Sequence, residues 1–570
     1  MVLAVAVAGV APAFAQGLPR NQTLYIAGFQ WGPATHFNPL APNAAWPVGG
    51  NGNPDQQAPG YVYESLFLYN IVDGRFEPLL AREMKWVDAT TLRIQLQPGT
   101  RWQDGKALTA RDVAFTFQLA ERFALGYSSF WQYVKSVKAV DDRTVEIALD
   151  PAKPNRPLVE QYVATVMILP QHIWGPLADK GRAELMQFTN LKPVGSGPYQ
   201  VQSYSAERIV LQRFEGYWGK SLYGMPTPKY LVHPIFKSND AGNLALKQGD
   251  VDWSQQFVPQ VWTLHNVQTW YDKEPYYIPG SIPLMIINVH QKGLDNVQVR
   301  RALAYSIDYA LIARTAMSRY SEPAKSSLIL PTGVESQYFD EQLVEQYGWK
   351  HDPKKAVQIL EQELKAKKGP DGIYVLPDGT RLSFTVQTPY GWTDWMAALQ
   401  VVSQSARQVG IEVRTDFPQA PIVSTNVQNG NFDLVLWYVS QVGAASPWTR
   451  FRDVLDDRGV PPIGQQAFRD YGRFSHPDVA GLLDRAASAG SPEQLKEIYG
   501  QLDRIFMENV PAIPLMYRPL LFYEFNTTHW TGFPTSQDPK APPMFYISVL
   551  RLVRPEVTRR KERDHPAAAG

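Results

Sequence analysis

One stretch of the sequence decides the fold: Pro98-Gly-Thr-Arg-Trp-Gln-Asp-Gly-Lys-Ala-Leu-Thr-Ala-Arg-Asp-Val-Ala-Phe-Thr116. The Pro-Gly pair at its start ends an alternating run, residues 91–97, that predicts a half-buried strand. Thr109 and Asp112 have the spacing of a capping box, so we expect a helix to begin there. The stretch therefore predicts a strand, a turn region and a capped helix.

Outward from this stretch, the N-terminal half contains several short elements. Residues 24–29 and 145–149 have strand patterns, and the Pro/Gly/Asn-rich residues 38–60 predict a loop. The strongly apolar residues 61–69 suggest a helix.

The C-terminal half has the alternating order of an α/β unit. Helical spacing over residues 299–317 predicts one helix. Strand patterns at 382–386, 411–413 and 432–437 surround a helical segment at 395–409, which Gly410 ends. Strand, helix and strand in this order indicate a βαβ unit and a parallel sheet.

The composition is that of a globular protein with many aromatic residues. The 570 residues carry 55 Lys+Arg and 54 Asp+Glu, a net charge of +1, which gives no overall attraction to nucleic acid. There is no cysteine among them, which excludes disulfides and thiolate chemistry. Aromatic residues are plentiful, with 16 Trp and 28 Tyr.

The two ends of the chain differ from the rest. Residues 1–15 are uncharged and end in Ala13-Phe-Ala15, which is typical of a signal-peptide cleavage site, so we interpret them as a signal-peptide remnant. We expect a soluble, exported, periplasmic protein without a lipid anchor, since no Cys follows this site. Residues 554–570 read as a disordered tail.

No motif for catalysis or metal binding is present. No two of the nine histidines are three to five residues apart, and Gly195-Ser-Gly197 lacks the spacing of a nucleophile elbow. The adjacent acids Asp141 and Asp142 point to different faces of a regular element, which favours surface charge over a catalytic pair. We therefore expect no catalytic residues, no metal and no cofactor, although two distant carboxylates could still form a glycosidase site.

The stretch 98–116 resembles the signature of family 5 bacterial extracellular solute-binding proteins, the peptide- and nickel-binding components of ABC importers. Further segments resemble family motifs in the family's order. They are Asn38-Pro-Leu40, Tyr63-Glu-Ser-Leu-Phe67, Gly195-Ser-Gly-Pro-Tyr199, Phe214-Glu-Gly-Tyr-Trp218, Val299-Arg-Arg-Ala-Leu-Ala-Tyr-Ser-Ile-Asp308 and Pro511-Ala-Ile-Pro514. The similarity covers roughly residues 22–553.

The resemblance implies a two-lobed α/β fold of the periplasmic-binding-protein kind, type II, with an extra domain inserted in lobe one. It places lobe one at residues 16–58, 190–281 and 512–553, the inserted domain at 59–189 and lobe two at 282–511. It also implies a monomer that closes around an oligomeric solute and docks on two membrane permease subunits served by ATPases.

Two branches of the family differ in cargo. Peptide-binding members carry an Asp three residues after a Trp, and this Asp pairs with the peptide's N-terminal ammonium. Counted from Trp437, the position is filled here by Ser440, and the next acid is Asp453. The oligosaccharide-binding branch is similar at Ala45-Trp-Pro47, at Ser446-Pro-Trp-Thr449 and, less closely, at residues 532–543. We therefore expect a neutral oligosaccharide of the β-gluco type, with an oligopeptide as the alternative.

Flat aromatic rings with amides and hydroxyls beside them suit sugar rings. The candidate ligand-binding residues are Trp46, Asn70, Trp392, Trp395, Trp437, Tyr438, Ser440, Gln441 and Trp448. A secreted carbohydrate-active hydrolase and a nickel or haem carrier are the further alternatives.

Overall fold

The computed structural model describes residues 17–48 and 59–556. The signal-peptide interpretation of residues 1–15 and most of the predicted tail lie outside this part of the chain. The strands are β1 Thr23–Ala27, β2 Phe67–Tyr69, β3 Phe76–Pro78, β4 Ala81–Trp86, β5 Thr91–Leu96, β6 Val134–Ala139, β7 Thr144–Leu149, β8 Tyr199–Tyr204, β9 Arg208–Arg213, β10 Tyr230–Pro234, β11 Trp253–Ser254, β12 Val267–Thr269, β13 Pro279–Ser281, β14 Leu284–Ile287, β15 Lys367–Lys368, β16 Tyr374–Val375, β17 Ser383–Gln387, β18 Glu412–Asp416, β19 Leu434–Trp437, β20 Ala512–Pro514, β21 Arg518–Pro519, β22 Glu524–Asn526, β23 Trp530–Thr531 and β24 Arg554–Pro555.

The helices connect and cover these strands. They are α1 Ala110–Arg122, α2 Arg156–Thr165, α3 Gln171–Asp179, α4 Arg182–Gln187, α5 Lys220–Tyr223, α6 Asn239–Gln248, α7 Val297–Ser306, α8 Tyr309–Leu311, α9 Glu341–Tyr347, α10 Pro353–Gln358, α11 Thr393–Gln408, α12 Ala420–Asn429, α13 Trp448–Leu455, α14 Val479–Ala487, α15 Pro492–Asn509 and α16 Ile547–Leu552. Two π-helical turns, Ile312–Ala316 and Ile359–Glu363, continue α8 and α10. Within residues 17–48 and 59–556, no helix has the length and apolarity needed to cross a membrane.

Two mixed sheets form the centre of the molecule. The first has seven strands in the order β12-β22-β11-β1-β10-β9-β8, and the second has five in the order β18-β17-β19-β14-β20. In the second sheet β17 pairs in parallel with both β18 and β19, and α11 connects β17 to β18. The predicted βαβ unit is confirmed. Gly410, two residues after the end of α11, has the left-handed backbone conformation, with φ 86°.

Residues 98–116 lie beside a separate antiparallel sheet of order β4-β5-β7-β6. The predicted capping box is present, because the Thr109 side chain accepts from the Arg111 amide and the Asp112 carboxylate accepts from the Thr109 amide. Gln103 ties the stretch to the Gly-Ser-Gly-Pro-Tyr motif by donating to the Gly197 and Tyr199 carbonyls at 2.8 and 2.7 Å.

The chain passes between the two mixed sheets on two strands that pair with each other. β13 leads from β12 of the seven-stranded sheet to β14 of the five-stranded sheet, and β21 leads back from β20 to β22. Ser281 lies opposite Arg518 in this antiparallel pair. We call β13 and β21 the crossing strands.

Two expectations about secondary structure are corrected by the structure. Residues 61–66 are buried without helix and only 67–69 form a strand, since the Tyr61 and Val62 carbonyls accept from the Tyr199 and Gly197 amides. The helix expected over 299–317 stops at Ser306 and restarts at α8, because the Asp308 side chain caps α8 by accepting from the Leu311 amide.

Two strands lie near expected boundaries. β20, expected to begin the last part of lobe one, pairs with β14 in the five-stranded sheet, so the chain leaves that sheet after Pro514. β24, expected to begin the disordered tail, pairs with β23. Ordered structure thus continues through residue 555, and the remainder of the predicted tail from 557 lies outside the described residues.

We expect Gly195→Ala to lower the free energy of unfolding by about 2–3 kcal/mol, since a Cβ at this position would lie 1.8 Å from the Val62 carbonyl oxygen. Gly481→Ala in α14 is the matched control. A Cβ there meets nothing within 4 Å, so this variant should gain about 0.5–1 kcal/mol. Urea unfolding of both variants measures the two effects, and a Gly195→Ala variant as stable as wild type would contradict the packing described.

Glu64 gives the stability a pH dependence. Its buried carboxylate accepts from the Tyr217 hydroxyl at 2.7 Å and the Trp218 indole at 3.0 Å, and burial raises its pKa from 4.5 to about 7. A raised pKa contributes stability that is fully present below pH 4.5 and is lost as the pH rises through 7.

We therefore expect the stability of wild type relative to Glu64→Gln to fall by up to about 3 kcal/mol between pH 4.5 and 8. The Gln side chain does not titrate, so the difference between the two proteins isolates this group from other acids. Denaturant unfolding at a series of pH values measures it. A constant difference across this range would show that folding does not raise the pKa of Glu64.

Candidate functional site

Four of the nine candidate residues form one cluster. Trp392, Trp437 and Tyr438 lie nearly parallel, with interplanar angles of 15–24° and ring centroids 4.9–6.4 Å apart. Trp395 packs edge-on against Trp392 at 4.8 Å. We call these four residues the aromatic cluster.

Secondary structure explains why these residues meet. Trp437 is the last residue of β19, and Tyr438 follows it. Trp392 caps the start of α11, which follows β17, and Trp395 lies in its first turn. Because β17 and β19 are parallel neighbours, their carboxyl ends share one sheet edge, the place where α/β proteins bind ligands.

The cluster combines a buried base with an accessible ring. Trp437 and Trp395 are 6% and 3% exposed, Trp392 is half-buried, and Tyr438 is 37% exposed. Buried neighbours hold the rings in place and leave part of the surface open, as a stacking platform requires. Beside it, the Trp395 indole nitrogen and the Thr388 hydroxyl are buried without a hydrogen-bond partner.

The cluster lies near the boundary between the two mixed sheets. Asn239 begins α6, which packs on β22 of the seven-stranded sheet, and its amide donates to the Thr393 hydroxyl at 3.5 Å. On the other side of the cluster, the Val442 amide donates to the Gly280 carbonyl of crossing strand β13 at 2.8 Å. The candidate site thus lies at the boundary between the two mixed sheets.

Acidic groups near the cluster are already paired. Asp394, which is 2% exposed, accepts from Arg518 Nε at 2.9 Å. Asp453 accepts from Arg452 at 2.7 Å and from both the amide and the hydroxyl of Ser440. The surface around the rings is therefore electrostatically balanced, and Ser440 serves to hold Asp453.

Two other candidates have structural partners instead. The Asn70 amide donates to Glu77 at 2.8 Å and its oxygen accepts from the Val72 amide, within the β2–β3 turn. Trp448 is 3% exposed and its indole donates to the Leu483 carbonyl. These contacts occupy the polar atoms of both side chains, and neither residue belongs to the aromatic cluster.

Trp46 and Gln441 have different surroundings. Trp46 is 5% exposed and packs against Tyr61 and His233, so it forms no open wall, although its indole nitrogen lacks a partner. Gln441 is half-buried and lies four residues after Trp437 in the sequence.

The sequence did not indicate Thr388, Asp394 or Arg518 as residues of this region. Asp394 lies between two candidate tryptophans, which is a signal of proximity, but its pairing with Arg518 joins residues 124 positions apart. In residues 17–48 and 59–556, no group of three His, Asp or Glu side chains could hold a metal ion.

Two mixed sheets joined by paired crossing strands define a mixed α/β periplasmic-binding-protein fold. Residues 75–458 match the family described as "Bacterial extracellular solute-binding proteins, family 5 Middle", and the chain belongs to that family. The family resemblance and the fold class are confirmed. The protein is a solute-binding protein and not an enzyme, so the hydrolase alternative is set aside.

Three relatives illustrate the similarity. One is a crystal structure from Thermotoga maritima, described as a mannohexaose-bound periplasmic oligopeptide-binding protein of an oligopeptide ABC transporter. It is 32% identical in sequence to this chain, and its TM-score is 0.86. The match covers 95% of this chain and 100% of the Thermotoga maritima chain. The oligopeptide-binding protein AppA of Bacillus subtilis, solved with a nonapeptide, shares the fold at 21% identity, TM-score 0.75 and coverage of 94% and 99%. The probable peptide-binding protein YejA of Agrobacterium fabrum is 24% identical over 77% of this chain and 76% of its own.

Proposed function

We propose that this protein is the periplasmic binding component of an ABC importer and carries a neutral oligosaccharide. The observation that carries this proposal is the set of three nearly parallel rings at the boundary between the mixed sheets, Trp392, Trp437 and Tyr438. Sugar rings present apolar C–H faces that stack on aromatic rings, while their hydroxyls need neutral hydrogen-bond partners.

The charge distribution supports a neutral cargo. A peptide's terminal ammonium loses its hydration in a closed cleft and needs a carboxylate partner. The two acids nearest the cluster, Asp394 and Asp453, already pair with arginines. The mannohexaose in the Thermotoga maritima relative agrees with this chemistry.

An oligopeptide remains the second candidate cargo. One observation favours it: Asp453 brings a carboxylate to Ser440, close to the position where the sequence lacks one. An ammonium group that displaced Arg452 from Asp453 would find a counter-charge there.

We also propose a two-lobed organisation with a cleft between the lobes. Lobe one contains the seven-stranded sheet, with residues 59–189 as its inserted domain, and lobe two contains the five-stranded sheet through Pro514. The crossing strands then act as the hinge. We propose that the closed monomer docks on the importer's permease subunits, whose ATPases drive transport.

A thermal-shift screen separates the two cargoes. A ligand at a hundredfold excess over its Kd stabilises the folded state by about 2.7 kcal/mol, which raises Tm measurably even in a large chain. We expect manno- and gluco-oligosaccharides of two to six units to raise Tm, and di- to pentapeptides to leave it unchanged. A rise with peptides and none with any saccharide would overturn the oligosaccharide proposal.

Tyr438 tests the stacking platform. We expect Tyr438→Ala to weaken binding of the active saccharide by about fivefold or more, since a stacked ring contributes about 1 kcal/mol beyond burial. Tyr438→Phe retains the ring and should bind nearly as wild type. Phe468→Ala removes a 73% exposed ring away from the cluster and is the matched control. Titration calorimetry measures all three, and unchanged affinity in Tyr438→Ala would place the sugar elsewhere.

A further inference from the structure

One ion pair joins the hinge to the aromatic cluster. Arg518 belongs to crossing strand β21, and its Nε donates to Asp394 Oδ2 at 2.9 Å. The Asp394 side chain is 2% exposed and that of Arg518 is 26% exposed. The Arg518 guanidinium carbon also lies 4.5 Å from the centroid of the Phe522 ring. This contact holds the plane of the guanidinium on the side of the seven-stranded sheet.

Asp394 lies within the run Trp392-Thr-Asp-Trp395, and each member of this run has a separate contact. Trp392 and Trp395 belong to the aromatic cluster, and Thr393 accepts from Asn239 on α6. Asp394 reaches the crossing strand. One turn of backbone at the start of α11 therefore carries two rings of the cluster, a contact to α6 and a contact to the hinge.

A second link reaches the other half of the cluster. Val442, four residues after Tyr438, donates its amide to the Gly280 carbonyl of β13. Gly280 packs closely against Leu520, just after β21, where a Cβ on the glycine would lie 2.6 Å from the Leu520 side chain. Both crossing strands are thus bonded to segments that hold the aromatic cluster.

We propose that Arg518 and Asp394 are positioning residues that make the angle between the two sheets depend on the placement of the aromatic cluster. The proposal rests on the function proposed above, because it takes the cluster to be the ligand platform. If the crossing strand rotated away from α11, a buried carboxylate would lose its counter-charge, which is costly in a low-dielectric setting. Solute that fixes the rings therefore also fixes the hinge.

The absence of cysteine makes the test direct, since introduced cysteines are the only thiols in the chain. Leu244→Cys on α6 and Ile422→Cys on α12 are both 54% exposed and report on the two mixed sheets. Spin labels at these positions give the distance distribution between the sheets by pulsed electron resonance. It is measured for the full chain with and without mannohexaose.

We expect Arg518→Met and Asp394→Asn each to broaden the distribution without mannohexaose at least twofold, and the double variant to be no broader than either single one. Arg518→Lys, which keeps the charge, should restore part of the wild-type width. Arg504→Met breaks an exposed pair with Glu508 on α15 and is the control, with no change expected.

Variants with a lower Tm but the wild-type distribution would assign the ion pair a purely structural role and overturn the proposal. The cargo proposal fails separately. If mannohexaose and the other saccharides leave the wild-type distance distribution and Tm unchanged, the cargo assignment is wrong. The widths of the distance distributions measured without ligand still decide whether the ion pair couples the aromatic cluster to the angle between the sheets.

Discussion

The pairing of β13 with β21 is the constraint on which the site depends. The chain crosses between the mixed sheets on these two short strands, so the relative placement of the sheets is set within a few residues of backbone. The aromatic cluster is bonded to both strands, through Asp394 and Arg518 on one side and through Val442 and Gly280 on the other. The aromatic cluster and the crossing strands are therefore one connected structure.

The chemistry of the candidate site follows from what is already paired there. Asp394 and Asp453 each pair with an arginine, and the exposed part of the aromatic cluster is ring surface, largest at Tyr438. Such a surface gains affinity from apolar contact and stacking, and it penalises a charged ligand that arrives without a partner. The same argument explains why Ser440, which lies where peptide-binding relatives are expected to have an acid, is bonded to Asp453.

Local patterns in the sequence were sufficient for much of the fold, and contacts between distant residues were not. The capping box at Thr109 and the order β17, α11, β18 are each contained in a few tens of residues, and both are confirmed. Trp448 was expected at the site as an aromatic wall and Asn70 as a polar partner, and the structure pairs their polar atoms with Leu483 and Glu77. No local pattern distinguishes a tryptophan that meets solvent from one that meets a carbonyl 35 residues away.

The proposal that a neutral oligosaccharide stacks on the aromatic cluster can be tested at Trp392 and Trp437, the two tryptophans that lie parallel to the exposed Tyr438. Fluorine NMR of protein containing 5-fluorotryptophan observes both rings directly, with resonances assigned by Trp→Phe substitution. On titration with mannohexaose we expect these two resonances to shift, while those of Trp102 and Trp174, buried at 1% and 0% exposure away from the cluster, stay in place. Binding of mannohexaose that leaves the Trp392 and Trp437 resonances unmoved would contradict the proposal.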